Sequence, residues 1–178
     1  STPYDAKGLL KSAINDDNPV MFFEHKLLYK TTGQVSEEEY TIPIGVADIK
    51  KEGSDISIIS WSKMLLDSLK AANELEEEGI HAEVIDLRSL RPLDTKTIID
   101  SVSKTGRCLI VYEAPLFGGF GGEIAATITE SDAFYSLKAP IKRLGGAEMP
   151  VPFNAEIERQ IVPDVNKIKQ AVKDMLKK

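Results

Sequence analysis

The chain of 178 residues is 42% hydrophobic and 28% charged, a composition typical of globular domains that excludes collagen-like, disordered and disulfide-stabilised proteins. Its formal net charge of −6 argues against a nucleic-acid partner, because such proteins carry a basic surface. No apolar run reaches the ~18 residues of a membrane span, and Cys108 is the single cysteine, so no intramolecular disulfide is possible. We therefore expect no membrane contact and a reducing compartment, which is the cytoplasm, or the mitochondrial matrix if the organism is eukaryotic.

The chain opens with a helix that Thr2 caps, with Pro3 in the first turn and Asp5 near the positive end of the helix dipole. The helix ends over residues 15–18, and residues 20–23 (Val-Met-Phe-Phe) predict a short buried strand. One helix and one strand form no core, because the backbone of the strand would lack partners. We interpret this helix and strand as the end of a preceding α/β domain.

After a polar linker over residues 31–40, the pattern alternates between strands and helices. The segment 42–51 predicts an edge strand, since its apolar and polar residues alternate only weakly. Further strands are predicted at 56–61, 82–87, 108–112 and 141–144, with helices over 63–78, from Asp94 to Val102, over 124–128 and after Asp164. Four successive βα units predict a three-layer α/β fold, a mostly parallel sheet with helices on both faces.

Ligands of such sheets bind beyond the carboxyl ends of the strands. This rim is predicted to contain Ser62, Arg88, residues 113–122 and Gly145-Gly146. The glycine-rich part, 118–122, lies before a helix, where backbone amides can hold an anion. However, a dinucleotide motif needs glycine at the position of Ile124, and no P-loop lysine is present. Phe120 favours packing, and a nucleotide in this crevice remains the alternative.

Asp86, Arg88, Arg91 and Asp94 surround one strand end of the predicted sheet. An arginine at this place can bind a carboxylate or phosphate through two hydrogen bonds. The alternative, which we favour, is that the two acids pair with the two arginines and fix the turn.

The histidines and the cysteine indicate no self-contained active site. His25 lies beside Glu24, which permits an acid–base role, but an ordinary surface histidine is the simpler interpretation. His81 lies in a turn at the opposite end of the strands and is predicted to be solvated. Cys108 lies within an apolar strand, where a small buried thiol is expected rather than a nucleophile.

The end of the first helix leaves carbonyl oxygens unpaired at the negative pole of its dipole. Asp16 and Asp17 add negative charge there, and hard cations prefer such oxygen ligands. A polar helix stop before Pro19 is the alternative, and the residues alone favour it.

Strings along almost the whole chain, in order, resemble the beta subunit of the thiamine-diphosphate-dependent decarboxylase component of 2-oxo acid dehydrogenase complexes. They are Asp5–Leu10, Asn18–Glu24, Glu83–Arg88, Arg91–Asp94, Lys104–Arg107, Glu113–Phe120, Pro150–Phe153 and Ile161–Pro163. The string Glu-Ala-Pro-Leu at 113–116 resembles the branched-chain enzyme slightly more than the pyruvate enzyme. The C-terminal domain of a transketolase or a deoxyxylulose-phosphate synthase is the alternative within the same fold family.

The resemblance implies that residues 1–35 end a pyrimidine-binding domain and that residues 36–178 form a transketolase-type C-terminal domain. The catalytic glutamate and histidine of these beta subunits lie in an upstream stretch, so we expect no catalytic or cofactor-binding residue in this chain. The isolated chain is then inactive, and thiamine diphosphate with magnesium binds to the parent heterotetramer. His25 does not match the family histidine.

The resemblance also implies a potassium site and a set of partners. In these beta subunits main-chain oxygens hold the ion at positions that match Ala13, Ile14, Asp16 and Asn18. The implied partners are an alpha subunit, a second beta subunit and the subunit-binding domain of the dihydrolipoyl acyltransferase. Phe120 and the last helix are candidate contact surfaces, although the lysine-rich side of that helix is best interpreted as a solvated face.

Overall fold

Five strands form one mixed sheet in a computed structural model that describes residues 1–177. They are β1 Asp48–Lys51, β2 Ile56–Ser60, β3 Ala82–Asp86, β4 Cys108–Pro115 and β5 Lys142–Gly146, in the spatial order β1-β3-β2-β4-β5. β1 runs antiparallel to β3, and all other neighbours are parallel. The mostly parallel sheet is therefore confirmed, and the weakly alternating segment 42–51 supplies its antiparallel edge.

Helices cover both faces of the sheet, as the βα pattern predicts. The principal helices are α1 Pro3–Asn15, α2 Lys63–Glu76, α3 Thr95–Thr105, α4 Gly121–Thr129, α5 Ala155–Ile161 and α6 Val165–Leu176, with 3-10 helices at Lys26–Lys30 and Asp132–Ser136. α2 and α6 share one apolar core with the sheet, and α3 and α4 share the other. All five residues of β2 are buried, because both faces of this strand are covered. No helix within residues 1–177 is long and apolar enough to span a membrane.

Local sequence signals fix most of the helix ends. The side chain of Thr2 accepts the first-turn amide of α1, Asp94 does so for α3, and Asp164 does so for α6. α3 ends at Gly106, whose φ of 73° lies in the left-handed region that glycine enters without strain. These helix ends agree with the prediction to within a few residues.

The buried strand predicted at residues 20–23 is wrong. These residues form no strand, and the side chains of Met21 and Phe23 are 79% and 85% exposed. The apolar pattern fits a strand, but no strand within residues 1–177 pairs with this segment through backbone hydrogen bonds.

Candidate functional site

Aromatic rings fill the crevice between the carboxyl ends of β2 and β4. The rings of Trp61 and Tyr112 stack with centroids 5.5 Å apart, and Phe120 meets Trp61 edge-on at 6.1 Å. The chain continues from β2 to a helix on one face of the sheet and from β4 to a helix on the other face. The crevice between two such strands is the position where α/β sheets bind ligands. The glycine-rich loop therefore packs through Phe120 on an aromatic neighbour, as the packing interpretation predicts.

Two glycines allow the loop to lie directly against the ring of Tyr112. A Cβ atom added at Gly121 would lie 2.2 Å from Tyr112 Cε1, and one at Gly119 would lie 2.6 Å from Tyr112 Cε2. Gly122 is different, because its nearest neighbour would be Arg143 Nη1 at 3.4 Å, an ordinary contact distance. The glycines thus serve close packing of backbone on a buried aromatic ring.

This packing predicts opposite effects for two neighbouring substitutions. Gly121→Ala should lower the free energy of unfolding by about 1–3 kcal/mol, because the added methyl group overlaps the ring of Tyr112. Gly122→Ala, the matched control within the same helix, should be neutral or stabilise the fold by up to about 1 kcal/mol. Urea unfolding followed by Trp61 fluorescence measures both, and equal effects would contradict the packing role.

A buried charge cluster joins α1 to the edge of the sheet. Arg88 Nη2 donates to Asp5 Oδ1 at 2.6 Å and to Asp48 Oδ2 at 2.7 Å. Lys50 Nζ lies 2.8 Å from Asp5 Oδ2 and 2.6 Å from Asp48 Oδ2. The side chain of Asp5 is fully buried, and that of Arg88 is 11% exposed. The cluster therefore fastens the first helix to β1 and to the loop after β3.

The charges in this cluster stabilise one another. Burial raises the pKa of Asp5, but hydrogen bonds from Lys50 and Thr2 and the charges of Lys50 and Arg88 lower it below its ordinary value overall. Burial lowers the pKa of Lys50, and its bonds to Asp48 and Asp5 raise it above the ordinary value overall. Both groups therefore stay ionised at neutral pH. The helix-dipole interpretation of Asp5 is incomplete, because Arg88 is 83 residues away in sequence.

The predicted pairing of Asp86 and Asp94 with the arginines is wrong. Asp94 caps α3 and accepts the backbone N–H of Ala47 at 2.9 Å. Asp86 Oδ1 accepts the backbone N–H of Arg88 at 3.1 Å, and burial is the main reason that the pKa of Asp86 is raised. Arg91 forms no ion pair with any residue from 1 to 177. Arg88 thus has a structural role, as we favoured, but its partners are Asp5 of α1 and Asp48 of β1.

His25 is tied to the carboxyl end of β4. Its Nε2 lies 3.0 Å from Glu113 Oε2, and its Nδ1 accepts the backbone N–H of Leu27 at 3.2 Å. Because Nδ1 is an acceptor, the neutral ring carries its hydrogen on Nε2 and donates it to the carboxylate. The pair holds the exposed segment 19–31 against the sheet. The sequence offers no signal for it, since the two residues are 88 positions apart.

The turn after α1 offers oxygen atoms to a cation. No hydrogen bond within residues 1–177 reaches the carbonyl oxygens of Ala13 or Ile14, which lie at the negative end of the helix dipole. Asp16 Oδ1 accepts the backbone and side-chain N–H groups of Asn18 at 2.8 and 3.0 Å, and these bonds lower the pKa of Asp16. The turn is therefore ordered and anionic. Main-chain carbonyl oxygens without partners are among the ligands that hard cations accept.

Other candidate residues are structural. Burial raises the pKa of the Cys108 thiol, so this side chain is an unreactive part of the core, as predicted. His81 is exposed. Within residues 1–177, no group of three or more histidine, cysteine, aspartate or glutamate side chains is arranged to hold a metal ion.

The lysine-rich side of α6 packs against α2. Lys169 Nζ lies 2.9 Å from Glu74 Oε2, and Lys173 Nζ lies 2.5 Å from Glu78 Oε2. Lys167 Nζ donates to the carbonyl oxygens of Gln160 and Val162 at 2.7 and 2.9 Å. The expectation of a solvated face is therefore wrong for Lys169 and Lys173, which are partly buried against the acids of α2 and the turn after it. Lys167 remains exposed, as expected.

Large apolar side chains are exposed near the carboxyl edge of the sheet. They lie in the segment that the His25–Glu113 pair holds, in the loop after β4 and in the segment after β5. The most exposed members are Met21, Phe23, Leu27, Tyr29, Phe117, Val151 and Phe153. Exposed apolar groups in such number are typical of surfaces that contact other proteins.

The mixed five-stranded sheet and its two helical layers define a known class of domain. Residues 45–168 match the family model of the transketolase C-terminal domain. The chain belongs to this family.

Curated relatives include beta subunits of 2-oxo acid dehydrogenases. The pyruvate dehydrogenase E1 component subunit beta of Bacillus subtilis (strain 168) is 53% identical over 155 residues, which is 86% of this chain and 47% of that protein. The 2-oxoisovalerate dehydrogenase subunit beta of the same strain is 44% identical over 177 residues, 98% of this chain and 54% of that protein. The resemblance to such beta subunits is confirmed, and the chain spans about half the length of these relatives.

Among solved structures, a split-gene transketolase, described as an inactive beta4 tetramer, matches with a TM-score of 0.68 and 26% identity. The match covers 82% of this chain and 46% of that chain. The α/β fold predicted from the βα units is thus found in this neighbour as well.

Proposed function

We propose that the chain is the C-terminal part of the beta subunit of a 2-oxo acid dehydrogenase, an enzyme that decarboxylates a 2-oxo acid and passes the acyl group to lipoamide. The observation that carries this proposal is the 53% identity to a pyruvate dehydrogenase beta subunit. A non-catalytic role is supported by the strand ends, where the buried charges pair with one another and the aromatic rings pack against one another.

The role of this part is to assemble the enzyme. The exposed apolar side chains along the carboxyl edge support this role, because they lie on a fold whose core is already complete. The relative that forms a beta4 tetramer supports it as well. The proposed partners are an alpha subunit, a second beta subunit and the subunit-binding domain of the acyltransferase.

The described residues do not fit thiamine diphosphate and magnesium. The crevice at the centre of the sheet is filled by Trp61, Tyr112 and Phe120, and no acidic cluster within residues 1–177 would hold the metal of a diphosphate. We assign this cofactor to the assembled enzyme.

The activity is tested by two chimeras, in which the chain follows the upstream half of either Bacillus subtilis relative and is produced with the matching alpha subunit. Release of CO₂ from pyruvate and from 2-oxoisovalerate, with thiamine diphosphate and Mg²⁺, is the measurement. We expect activity in a chimera and none in the isolated chain. The resemblance at residues 113–116 predicts the higher activity with the 2-oxoisovalerate relative. An assembled chimera without decarboxylation overturns the proposal, and turnover of sugar phosphates would favour the transketolase alternative.

The turn formed by Ala13, Ile14, Asp16 and Asn18 is the proposed potassium site. In the assembled enzyme, K⁺ at one hundred times its dissociation constant should stabilise the fold by about 2.7 kcal/mol over choline at equal ionic strength. Asp16→Ala should weaken this effect, because it removes the hydrogen bonds that order the turn. Asp17→Ala is the matched control and should keep it. Identical melting in K⁺ and choline contradicts the site.

A further inference from the structure

An open groove of about 850 Å³ lies between the start of α3 and the start of α4. Leu90 and Leu93 contribute apolar side chains on one side, and Phe120 contributes the ring on the other. Arg143 of β5 lines the groove as well. The groove lies beside the aromatic crevice and is separate from the turn after α1.

Three charged side chains in this groove have no ionic partner within residues 1–177. Arg91 is exposed and makes no side-chain hydrogen bond, and the exposed Glu123 likewise forms no ion pair. Arg143 donates from Nη1 to the carbonyl oxygen of Leu116 at 3.0 Å, which orients its guanidinium group and leaves its other N–H groups available. Arg88, three residues before Arg91, is in contrast fully engaged with two aspartates.

The charges decide which ligand class fits. The chain carries a net charge of −6, yet this groove presents two arginines and one glutamate. Glu123 lies in the first turn of α4, where its carboxylate opposes the binding of a polyphosphate that the helix dipole would otherwise favour. A peptide satisfies all three groups, because its acidic side chains can meet the arginines while an apolar side chain covers the leucines and a basic one meets the glutamate.

We propose that this groove docks an acidic, apolar peptide segment of a partner protein. Carboxylates of the segment bind Arg91 and Arg143, and an apolar side chain packs between Leu93 and Phe120. The inference rests on the groove alone and stands whether or not the chain belongs to a 2-oxo acid dehydrogenase.

The test selects random 12-residue peptides displayed on phage against the full chain, and measures the best binders by fluorescence polarisation. We expect sequences in which Glu or Asp alternates with Leu or Phe. Arg91→Glu should weaken their binding by about tenfold or more, because it places like charges opposite one another. Arg91 is exposed and unpaired, so this variant should fold normally, which circular dichroism checks.

Lys70→Glu is the matched control, since Lys70 is an exposed, unpaired lysine of α2 on the opposite side of the sheet. This variant should bind the peptides as the unchanged chain does, while Arg143→Glu should weaken binding like Arg91→Glu. Peptides without acidic enrichment, binding that Arg91→Glu leaves unchanged, or displacement of the peptides by millimolar ATP would each overturn the proposal.

Discussion

Arg88→Ala is expected to lower the free energy of unfolding by up to about 3–5 kcal/mol, because it removes one of the two cations that pair with the acids of this buried cluster. One of these acids, Asp5, is fully buried, so its carboxylate depends on protein groups rather than on bulk water for its stabilisation. Lys50 remains beside both acids and keeps the loss from being larger. Urea unfolding at pH 7, followed by circular dichroism, measures the change.

Arg91→Ala is the matched control for this prediction. Arg91 lies in the same loop but is exposed and forms no ion pair with residues 1–177, so its loss should change stability by less than about 0.5 kcal/mol. Arg88→Lys keeps the charge but lacks the planar guanidinium group. We expect its loss of stability to lie between those of the Arg88→Ala and Arg91→Ala proteins. Equal stabilities of the Arg88→Ala and Arg91→Ala proteins would show that the cluster contributes nothing.

The pH dependence of the Arg88→Ala effect follows from the lowered pKa of Asp5. A carboxyl whose folded-state pKa is below its unfolded value stabilises the fold when it is ionised, and that stability is lost as the pH falls through the folded-state pKa. The difference in free energy of unfolding between the unchanged chain and the Arg88→Ala protein should therefore shrink as the pH falls below the ordinary aspartate pKa of about 3.9. An advantage that persists after both acids are protonated would point to packing of the arginine stem instead.

Features that depend on neighbours in sequence are well predicted. The helix starts at Thr2, Asp94 and Asp164 each depend on residues within one helical turn, so local residue types suffice to place them. The start of α5 could also have been predicted, because Asn154 is an N-cap residue whose side chain accepts the backbone N–H groups of Glu156 and Ile157. The short length of this helix leaves little apolar periodicity to find.

Features that depend on distant partners are not predicted. The apolar run at residues 20–23 is locally suited to a strand, but a strand also needs a neighbouring strand, which local patterns do not reveal. The partners of Arg88 and Glu113 lie 83 and 88 residues away, and in an acidic chain every arginine has several acids from which to choose. The glycine-rich loop was predicted in part. Phe120 indicated that the loop packs on another surface, but the sequence did not show that the ring of Tyr112 is that surface.

Phe23→Asp is expected to weaken assembly strongly while leaving the fold intact. The side chain of Phe23 is 85% exposed, so the substitution costs the isolated chain less than about 0.5 kcal/mol. If the segment 19–31 lies in a subunit interface, a buried charge replaces an aromatic anchor there, and such anchors contribute about 2–4 kcal/mol or more to binding. Association with the partner subunits should weaken by about thirtyfold to a thousandfold, which sedimentation velocity measures, and decarboxylase activity should fall in parallel.

Tyr135→Asp separates a specific interface from a general effect of exposed aromatic residues. The side chain of Tyr135 is also 85% exposed, but its 3-10 helix packs beside α3 and α4, away from the segment that His25 and Glu113 hold. This variant should assemble and remain active. If both variants assemble normally, the segment 19–31 is a free surface and the assembly role must lie elsewhere. If both fail, exposed aromatic groups throughout the domain contribute. Loss of assembly in the Phe23→Asp protein alone places the interface at the end of β4, where the hydrogen bond between His25 and Glu113 fixes the segment.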